Sequence, residues 1–307
     1  MSVPFVRAEI GPGIYRVHKP VGQTSFALVQ AFMEDVRAAG IRRDKLPVCH
    51  GGALDPFAEG LVLLLAGQAT RLMDLLHPVP KTYVAEIAWG AETDNGDPLG
   101  RVVARGDPSG LTPQELDEAL APFIGWHDQV PPATSNKRVG GERAYRRAHR
   151  GESFELPPSR VYLHEARWLE HRLPGSSTLL LVTGGGYYVR ALARDLGRST
   201  GARAHVSALR RTAIGPWSDP PSGERVRMTG PNLFPWCGSV QVDSAEFKAL
   251  RTGKSILTRR IDPPSWPLPP GFADPGRLRA LHDSALVAML RDRGAMLVPD
   301  PVLHGAL

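Results

Sequence analysis

One carboxylate stands in a setting that suits chemistry: Asp55, in the stretch His50-Gly51-Gly52-Ala53-Leu54-Asp55-Pro56. The glycine pair predicts a tight turn, and its small neighbours leave room for a large substrate. A nucleophile or base held at a backbone elbow is one interpretation. An ordinary helix start, with Asp as N-cap and Pro at the first helical position, is another. In either case we expect Pro56 to open an apolar helix, or a helix-strand unit, over residues 56–67.

Composition sets broad limits on the class of protein. The 307 residues are 42% hydrophobic, enough for one large domain or two smaller ones with a buried core. No apolar run approaches the ~20 residues of a membrane helix, and the N-terminus lacks the pattern of a secretory signal. We therefore expect a cytoplasmic protein without a membrane partner. The net charge of +6 favours a polyanionic partner without identifying it.

The two cysteines, Cys49 and Cys237, lie far apart and have no neighbours at metal-ligand spacing. A disulfide framework or a structural zinc site is therefore not expected, which agrees with a cytosolic setting. The sequence also lacks a phosphate-cradling GxxxxGK[ST] loop. We expect neither a metal nor another cofactor.

Periodicity predicts a protein of mixed secondary structure. Strands are predicted over 13–18, 81–89, 161–169, 178–183, 204–212, 286–290 and 296–298. Helices are predicted over 111–123, 188–200 and 244–252, and one more begins at Thr24 or Ser25. That first helix is expected to carry Phe26, Val29, Phe32 and Val36 on one face.

The composition of residues 129–158 differs from that of the preceding chain and predicts an inserted surface segment. They are rich in proline and glycine and carry closely spaced basic residues around Tyr145: Lys137, Arg138, Arg143, Arg146, Arg147 and Arg150. Basic residues interleaved with an aromatic suit phosphate contacts and base stacking, although a solvated basic loop would show the same pattern. A second basic face, at Arg194 and Arg198, is the next candidate for binding RNA.

Six ordered segments resemble the TruB-type tRNA pseudouridine synthases. In chain order they are 15–25 with its Lys-Pro-x-Gly turn, 50–67 with Asp55, 81–83 with 90–97, 129–132 with 135–145, 185–190 with 195–197, and 205–211. The resemblance implies an α+β fold with a mixed, largely antiparallel sheet and flanking helices. It also implies a catalytic domain over 1–225. The strands near the C-terminus resemble those of a PUA-like barrel, so we expect a small β-rich PUA-like domain over 226–307.

The resemblance implies that the protein flips a uridine of the tRNA T-loop, at tRNA position 55, and isomerises it to pseudouridine. The implied partner is the T-arm of tRNA, with no cofactor and no obligate protein partner. Asp55 resembles the catalytic aspartate and Lys19 a structural lysine. The implied substrate-binding residues are His50, Tyr83, Tyr188, Arg190 and Leu209, with Arg190 pairing with Asp55 and Tyr83 stacking on the base. The implied RNA-binding residues are Arg138, Arg143, Arg146 and Arg147.

Each assignment has a structural alternative. Tyr83 and Leu209 also suit core positions, His50 a core or turn position, and Arg190 a phosphate contact or a solvated helix face. Two departures from the family pattern occur, since Gly51 stands where Thr is common and Arg138 where Lys is usual. Gly51 is expected to loosen the turn slightly, and Arg138 keeps the charge but not its geometry.

Two other functions remain open. One is a pseudouridine synthase that acts on another RNA, as in the guide-RNA-dependent branch. The other is an RNA-folding factor for which isomerisation is incidental. Equal rescue of tRNA folding by the wild type and by Asp55→Asn would favour the folding factor.

Overall fold

The computed structural model describes residues 10–42, 44–135, 137–152, 154 and 156–307, with the backbone alone at 138, 139, 148 and 149. Its strands are β1 (Gly13–Lys19), β2 (Val48–His50), β3 (Glu59–Ala66), β4 (Lys81–Trp89), β5 (Ala91–Thr93), β6 (Val102–Arg105), β7 (Gly125–Gln129), β8 (Arg138–Val139), β9 (Glu142–Arg143), β10 (Ser159–Arg172), β11 (Ser176–Thr183), β12 (Ala204–Ile214), β13 (Trp217–Ser218), β14 (Arg225–Met228), β15 (Gly238–Gln241), β16 (Ile256–Leu257), β17 (Leu278–His282), β18 (Ala285–Asp292) and β19 (Met296–Pro299). Its α-helices are α1 (Ser25–Ala38), α2 (Pro113–Leu120), α3 (Ala144–His149), α4 (Val189–Ser199) and α5 (Ser244–Arg251).

The chain forms two compact units. The first combines the residues up to Val79 with those from Ala213 onward, and the second spans Pro80–Thr212. In the first unit β14, β1, β3 and β2 are neighbours in that order, and all three pairings are antiparallel. This sheet carries the Asp55 turn at the start of β3.

The prediction of an apolar helix, or a helix-strand unit, over residues 56–67 is wrong in its helical part, because no helix opens at Pro56. A turn follows Pro56, and the apolar run is strand β3, in which every residue after Glu59 is buried. β3 pairs with β1 from Gly60 to Ala66 on one edge and with β2 from Leu64 to Ala66 on the other. A short continuous apolar run does not distinguish a buried strand from a buried helix by periodicity alone. The chain becomes helical only over the 3-10 segment Gly67–Leu76.

The predicted start of the first helix, at Thr24 or Ser25, agrees with the structure, but one residue predicted on its apolar face lies outside the buried face. Thr24 caps α1 by accepting a hydrogen bond from the amide of Ala27. Thr112 and Glu115 form a reciprocal capping box at the start of α2. Phe26 lies on the solvent side of α1 and is 61% exposed. The buried positions of α1 are Ser25, Leu28, Val29, Phe32 and Val36.

The C-terminal part contains a second sheet, in the strand order β15-β17-β18-β19-β16, with β15 and β17 parallel and the other pairs antiparallel. One apolar cluster joins residues from both ends of the chain, including Ile14, Leu63, Trp236 and Met289. Strand β14, at the predicted boundary near residue 225, pairs with β1. The domain limits 1–225 and 226–307 stay a prediction.

The second unit contains β12, β4, β11, β10 and β7 in that order, and β4, β11, β10 and β7 pair antiparallel. Alternate residues of β11 are buried, the pattern of a sheet covered on one face. Helix α4 buries most of its length, including Leu192 and Leu196. The predicted α+β architecture with largely antiparallel sheets and flanking helices is confirmed. Among the described residues, no helix is both long and apolar enough to cross a membrane.

Candidate active site

Hydrogen bonds from two neighbouring segments hold the Asp55 turn in the first unit. The amide of Leu54 donates to Ser25 Oγ at 2.8 Å, and the Ser25 hydroxyl donates to the Leu54 carbonyl at 3.2 Å. The amide of Gly22 donates to the Pro56 carbonyl at 2.8 Å. These bonds end on both sides of Asp55, so they fix the backbone that carries its half-buried carboxylate.

Lys19 joins the Lys-Pro-x-Gly turn to the Asp55 turn. Its side chain is fully buried, and Nζ donates to the carbonyls of Pro20 at 2.9 Å, Gln23 at 2.8 Å and Pro56 at 3.4 Å. A buried ammonium requires such acceptors, because desolvation of an unpaired charge is costly. These contacts support the structural role that the resemblance implies for Lys19.

Gly51 is tightly packed, whereas the sequence predicted a slight loosening of the turn. A Cβ at this position would lie 2.4 Å from Leu76 Cδ1 and 3.1 Å from Leu65 Cδ1. The leucines therefore occupy the room that a threonine would need. His50, the preceding residue, ends β2 and pairs through its backbone with Leu64 of β3. Its side chain is half-buried.

Arg190 is a buried cation in the first turn of α4, with 3% of its surface exposed. Nη1 donates to the Asn95 carbonyl and to Thr134 Oγ1, each at 2.7 Å, and Nη2 donates to the Thr134 carbonyl at 3.2 Å. Asp97 Oδ2 lies 4.0 Å from Nη1. This burial excludes the alternative of a solvated charge on the helix face. Two segments of the second unit, the β5–β6 loop and the start of the inserted segment, therefore fix the guanidinium.

The loop between β5 and β6 is shaped to approach Arg190. Gly96 has a φ of +75°, and a Cβ there would lie 3.1 Å from Arg190 Cβ and 3.3 Å from its carbonyl oxygen. The side-chain amide of Asn95 donates to Asp97 Oδ1 at 2.8 Å and accepts from the Asp97 amide at 2.9 Å. The amide of Val206 donates to the Gly96 carbonyl at 3.1 Å. The loop is thus closed on itself and held against β12.

Tyr188, the N-cap residue of α4, is clamped by a buried glutamine. Gln129 is 2% exposed; its Nε2 donates to the Tyr188 carbonyl at 3.0 Å, and its Oε1 accepts from the Tyr188 amide at 2.9 Å. The Tyr188 side chain is half-buried, whereas that of Tyr187 is buried. Burial, with a smaller contribution from Asp195, raises the pKa of Tyr187, so its phenol stays neutral.

Tyr83 lies on β4, opposite Leu181 of β11, and is half-buried. Lys81 precedes it by two residues on the same face of the strand and is 9% exposed. Burial, reinforced by the nearby Arg211 guanidinium, lowers the pKa of Lys81 to about 7. Leu209 on β12 is 6% exposed, which suits a pocket wall and a core position equally.

The lowered pKa of Lys81 predicts a stability that depends on pH. Between about pH 7 and 10.5 the unfolded chain holds a proton on Lys81 that the folded protein does not. The free energy of unfolding therefore rises with pH in this window. Urea unfolding at several pH values should show a smaller rise for Lys81→Met than for the wild type. Lys45→Met, at an exposed lysine, is the control. An unchanged pH slope in Lys81→Met would contradict the prediction.

We call the arginine-rich part of the inserted segment, residues 137–150, the basic segment. Carboxylates pair with some of its arginines. Arg147 Nε lies 2.7 Å from Glu152, and Arg150 contacts Glu142 at 2.8 Å and Glu152 at 2.7 Å. The hydrogen bonds from Arg150 hold the pKa of the Glu142 carboxyl below its usual range. The charge of this segment available to a polyanion is therefore smaller than its count of arginines suggests.

Arg143 and Arg146 are exposed in the same segment, and the Arg146 guanidinium lies 6.0 Å from the centre of the Tyr145 ring. Arg138 pairs through its backbone with Arg143 in the β8–β9 hairpin, but its side chain is outside the described part of the structure. The alternative basic face on α4 is paired with carboxylates. Arg194 contacts Asp195 at 2.8 Å, and Arg198 contacts Glu92 at 2.6 Å.

The predicted site residues fall in both units. Tyr83, Tyr188, Arg190 and Leu209 belong to the second unit, and His50 and Asp55 to the first. The pairing of Asp55 with Arg190 stays a prediction. The sequence did not identify the residues that hold Arg190 and Tyr188, namely Asn95, Thr134 and Gln129. Only the position of Gln129, at the start of the inserted segment, could have suggested such a role.

Comparison with known proteins identifies the family. Residues 41–189 match the N-terminal domain of the TruB family of pseudouridylate synthases. The protein named tRNA pseudouridine synthase B from Symbiobacterium thermophilum is 40% identical over 208 residues, which are 67% of each chain. Its namesake from Bordetella avium is 36% identical over 67% of this chain and 82% of the relative. The corresponding relative from Rhodopseudomonas palustris is 38% identical, and the match spans 53% of its length. The chain belongs to the TruB family of pseudouridylate synthases, and the predicted enzyme class, an isomerase, is confirmed.

Solved structures show the same fold. A chain of a Cbf5-Nop10-Gar1 complex superposes with a TM-score of 0.64, covering 96% of this chain and 86% of that one at 18% sequence identity. A chain of the archaeal box H/ACA sRNP Nop10-Cbf5 complex gives a TM-score of 0.63 at 17% identity, covering 96% and 87% of the two chains. At this identity the likeness establishes the fold alone. It confirms the pseudouridine synthase fold, and the strand-rich C-terminal module is consistent with a PUA-like domain.

Proposed function

We propose that this protein isomerises the T-loop uridine at position 55 of tRNA to pseudouridine, with Asp55 as the catalytic carboxylate. The observation that carries the proposal is the aspartate turn, which Ser25, Gly22 and Lys19 fix on both sides of Asp55. Relatives named tRNA pseudouridine synthase B, at 36–40% identity, support tRNA as the substrate. The Cbf5 structures support the fold only, so they do not favour another RNA.

The proposed reaction conserves all atoms of the nucleotide. The bond between the sugar C1′ and the base N1 breaks, the base turns over, and C1′ forms a bond to C5. C5 loses its proton, and N1 gains one. The reaction is an isomerisation without net oxidation or reduction. It therefore requires no redox group and no nucleoside triphosphate as an energy source. The protein must supply a carboxylate near the sugar and base, a proton acceptor near C5 and a pocket for the flipped base.

Arg190 is the proposed partner of the Asp55 carboxylate. Its guanidinium is buried, and the Asp97 carboxylate lies 4.0 Å from it, beyond the length of a hydrogen bond. In the proposed pair, the Asp55 carboxylate lowers the electrostatic cost of burying the cation, and the guanidinium keeps Asp55 ionised. Lysine would preserve the charge at this site but not the planar fork that bonds to Asn95 and Thr134.

Tyr83 and Tyr188 are the proposed aromatic residues of the base pocket, with Leu209 as a further part of its wall, and His50 is proposed to bind the substrate. Both tyrosines are half-buried, as expected for rings that cover a base without belonging to the core. A flipped base gains stacking on an aromatic face, which offsets part of the cost of unstacking it. The cytoplasmic location of the enzyme, with tRNA as its partner, belongs to the same proposal.

Loss of the C5 hydrogen provides the test of the reaction. A tRNA transcript with tritium at C5 of its uridines should release one tritium per molecule into water. A transcript with cytidine in place of the T-loop uridine should release none. An isolated T-arm hairpin should also react, since the proposal places recognition in this arm. Release from the cytidine-substituted transcript would contradict the proposed position, and no release from either RNA would contradict the reaction.

The basic segment is the proposed RNA-binding surface. Replacing Arg143, Arg146 and Arg147 together by alanine is expected to weaken tRNA binding. The log–log salt dependence of the binding constant should flatten by about 0.7–0.9 for each phosphate that the variant no longer neutralises. Single-turnover isomerisation at saturating tRNA should change much less. Binding titrations at four salt concentrations measure the slope.

A second triple variant controls for net charge in this experiment. Arg42, Arg101 and Arg172 are exposed arginines outside the basic segment, each in contact with a carboxylate. Their replacement by alanine removes the same formal charge. If both triple variants lower the slope equally, binding reflects general charge rather than this segment. If neither lowers it, the basic segment is not the RNA-binding surface.

A further inference from the structure

The first residues of the inserted segment run along the start of helix α4. We call residues 129–135 the proximal limb. Besides the Gln129 clamp on Tyr188, Arg194 Nη2 donates to the Val130 carbonyl at 3.0 Å. Thr134 accepts two hydrogen bonds from Arg190. The segment proposed to bind RNA is thus bonded directly to the helix turn that carries Arg190, the proposed partner of Asp55.

The Gln129 side chain makes the two hydrogen bonds that a neighbouring strand would make with the backbone of Tyr188, at the start of α4. The first N–H groups of a helix have no partner within the helix, and Tyr188, the N-cap residue, makes no capping bond with its side chain. The Gln129 amide pairs with both the N–H and the C=O of Tyr188. A side-chain amide is suited to this because one end donates and the other accepts. The clamp therefore fixes the point from which Tyr188 and Arg190 project.

Thr134 fixes the plane of the Arg190 guanidinium. Its hydroxyl oxygen accepts from Nη1 and its carbonyl accepts from Nη2, so one residue holds two nitrogens of the planar group. The Asn95 carbonyl accepts from Nη1 as well. Two anchored nitrogens prevent rotation of the guanidinium about its long axis, which a single hydrogen bond would allow.

We infer that Gln129 and Thr134 are positioning residues for isomerisation: they hold Tyr188 and Arg190 in the orientation that the proposed reaction requires. This inference rests on the proposed function, because it assumes that Arg190 acts on Asp55. The inserted segment then has two roles. Its exposed basic residues bind RNA, and its proximal limb orients the arginine of the site.

Substitutions at Thr134 test the inference, with single-turnover isomerisation at saturating tRNA as the readout. Thr134→Val keeps the shape and the backbone carbonyl but removes the hydroxyl. The rate should fall about ten- to a hundredfold, as expected for loss of a hydrogen bond to a charged group, while the Kd for tRNA changes less than about threefold. Thr134→Ser restores the hydroxyl and should recover most of the rate. Thr252→Val is the matched control, since its hydroxyl bonds to a carbonyl at the end of α5.

Gln129→Glu is the second, independent variant. It has nearly the same size but replaces the amide donor to the Tyr188 carbonyl with a carboxylate oxygen. It should also slow the single-turnover step while tRNA binding is retained. Retained binding shows that the variant is folded. If both Thr134→Val and Gln129→Glu bind tRNA and react at the wild-type rate, the inference is wrong. It is also wrong if Thr134→Ser is as slow as Thr134→Val.

Arg190→Lys separates this inference from the proposed function. A wild-type rate in Arg190→Lys would show that the reaction does not depend on the arginine side chain. The proposed role of Arg190 and the positioning role of Thr134 would then both be wrong. A strong loss in Arg190→Lys together with normal rates in Thr134→Val and Gln129→Glu would leave the proposed function intact and overturn the positioning role alone.

Discussion

Replacing Asp55 by asparagine is expected to abolish isomerisation while leaving the Kd for tRNA within about tenfold of the wild type. The amide keeps the size of the side chain but cannot act as a nucleophile or as a base. Affinity should persist because phosphate contacts spread over many basic residues provide most of it. Single-turnover kinetics and a binding titration on the same preparation measure both quantities.

The Asp55→Asn variant should fold normally, which makes its result interpretable. The hydrogen bonds described around this turn end on backbone groups of Leu54 and Pro56, so they remain in the variant. Asp44→Asn, at an exposed carboxylate that contacts Arg42, is the matched control and should be fully active. Turnover retained by Asp55→Asn, with a normal melting temperature, would remove Asp55 from the catalytic role.

Replacing Tyr83 by phenylalanine is expected to have the second largest effect. The ring and its stacking face remain, so tRNA binding should change little. If the hydroxyl assists removal of the C5 proton, turnover falls by roughly 10²–10⁴, the range that general acid–base groups contribute. Tritium release from C5-labelled tRNA follows this step directly.

Tyr162→Phe is the matched control for Tyr83→Phe. Tyr162 lies on β10 with its hydroxyl 3.4 Å from His164 Nδ1, and no role in the reaction is proposed for it. It should keep the wild-type rate. A wild-type rate in Tyr83→Phe as well would reduce Tyr83 to a stacking or packing residue.

Local rules predicted the parts of the fold that depend on local interactions. The start of α1 at Thr24 depends on a cap formed within one turn of the helix, so the local sequence was sufficient to predict it. Period-two alternation similarly predicted β4. The α+β class followed from these elements and from the resemblance to the family.

The errors concern positions whose surroundings are set by distant residues. The apolar run after Pro56 is a strand that pairs with β1 and, at its end, with β2, and neither pairing is visible in the local sequence. Phe26 is exposed because the buried stripe of α1 runs through Leu28, Val29 and Phe32 instead. The packing around Gly51 depends on Leu76, which lies beyond the strand.

In the candidate site, too, the sequence predicted some residues and missed the distant residues that hold them. The motif identified Asp55 and Arg190 as residues of interest, but the sequence alone does not show what holds a side chain. The bonds from Arg190 to Asn95 and Thr134 join segments separated by 95 and 56 positions. The basic segment is a second example. The sequence predicted its arginines but not the pairing of Arg147 and Arg150 with glutamates.

Base-resolved mapping of pseudouridine is the measurement that tests the central claim most directly. An unmodified tRNA transcript is incubated with the purified protein, or with Asp55→Asn, and every uridine is then assayed. The account predicts one new pseudouridine, at position 55 in the T-loop, with the wild type and none with the variant. Modification at another position, or equal modification by both proteins, would contradict it.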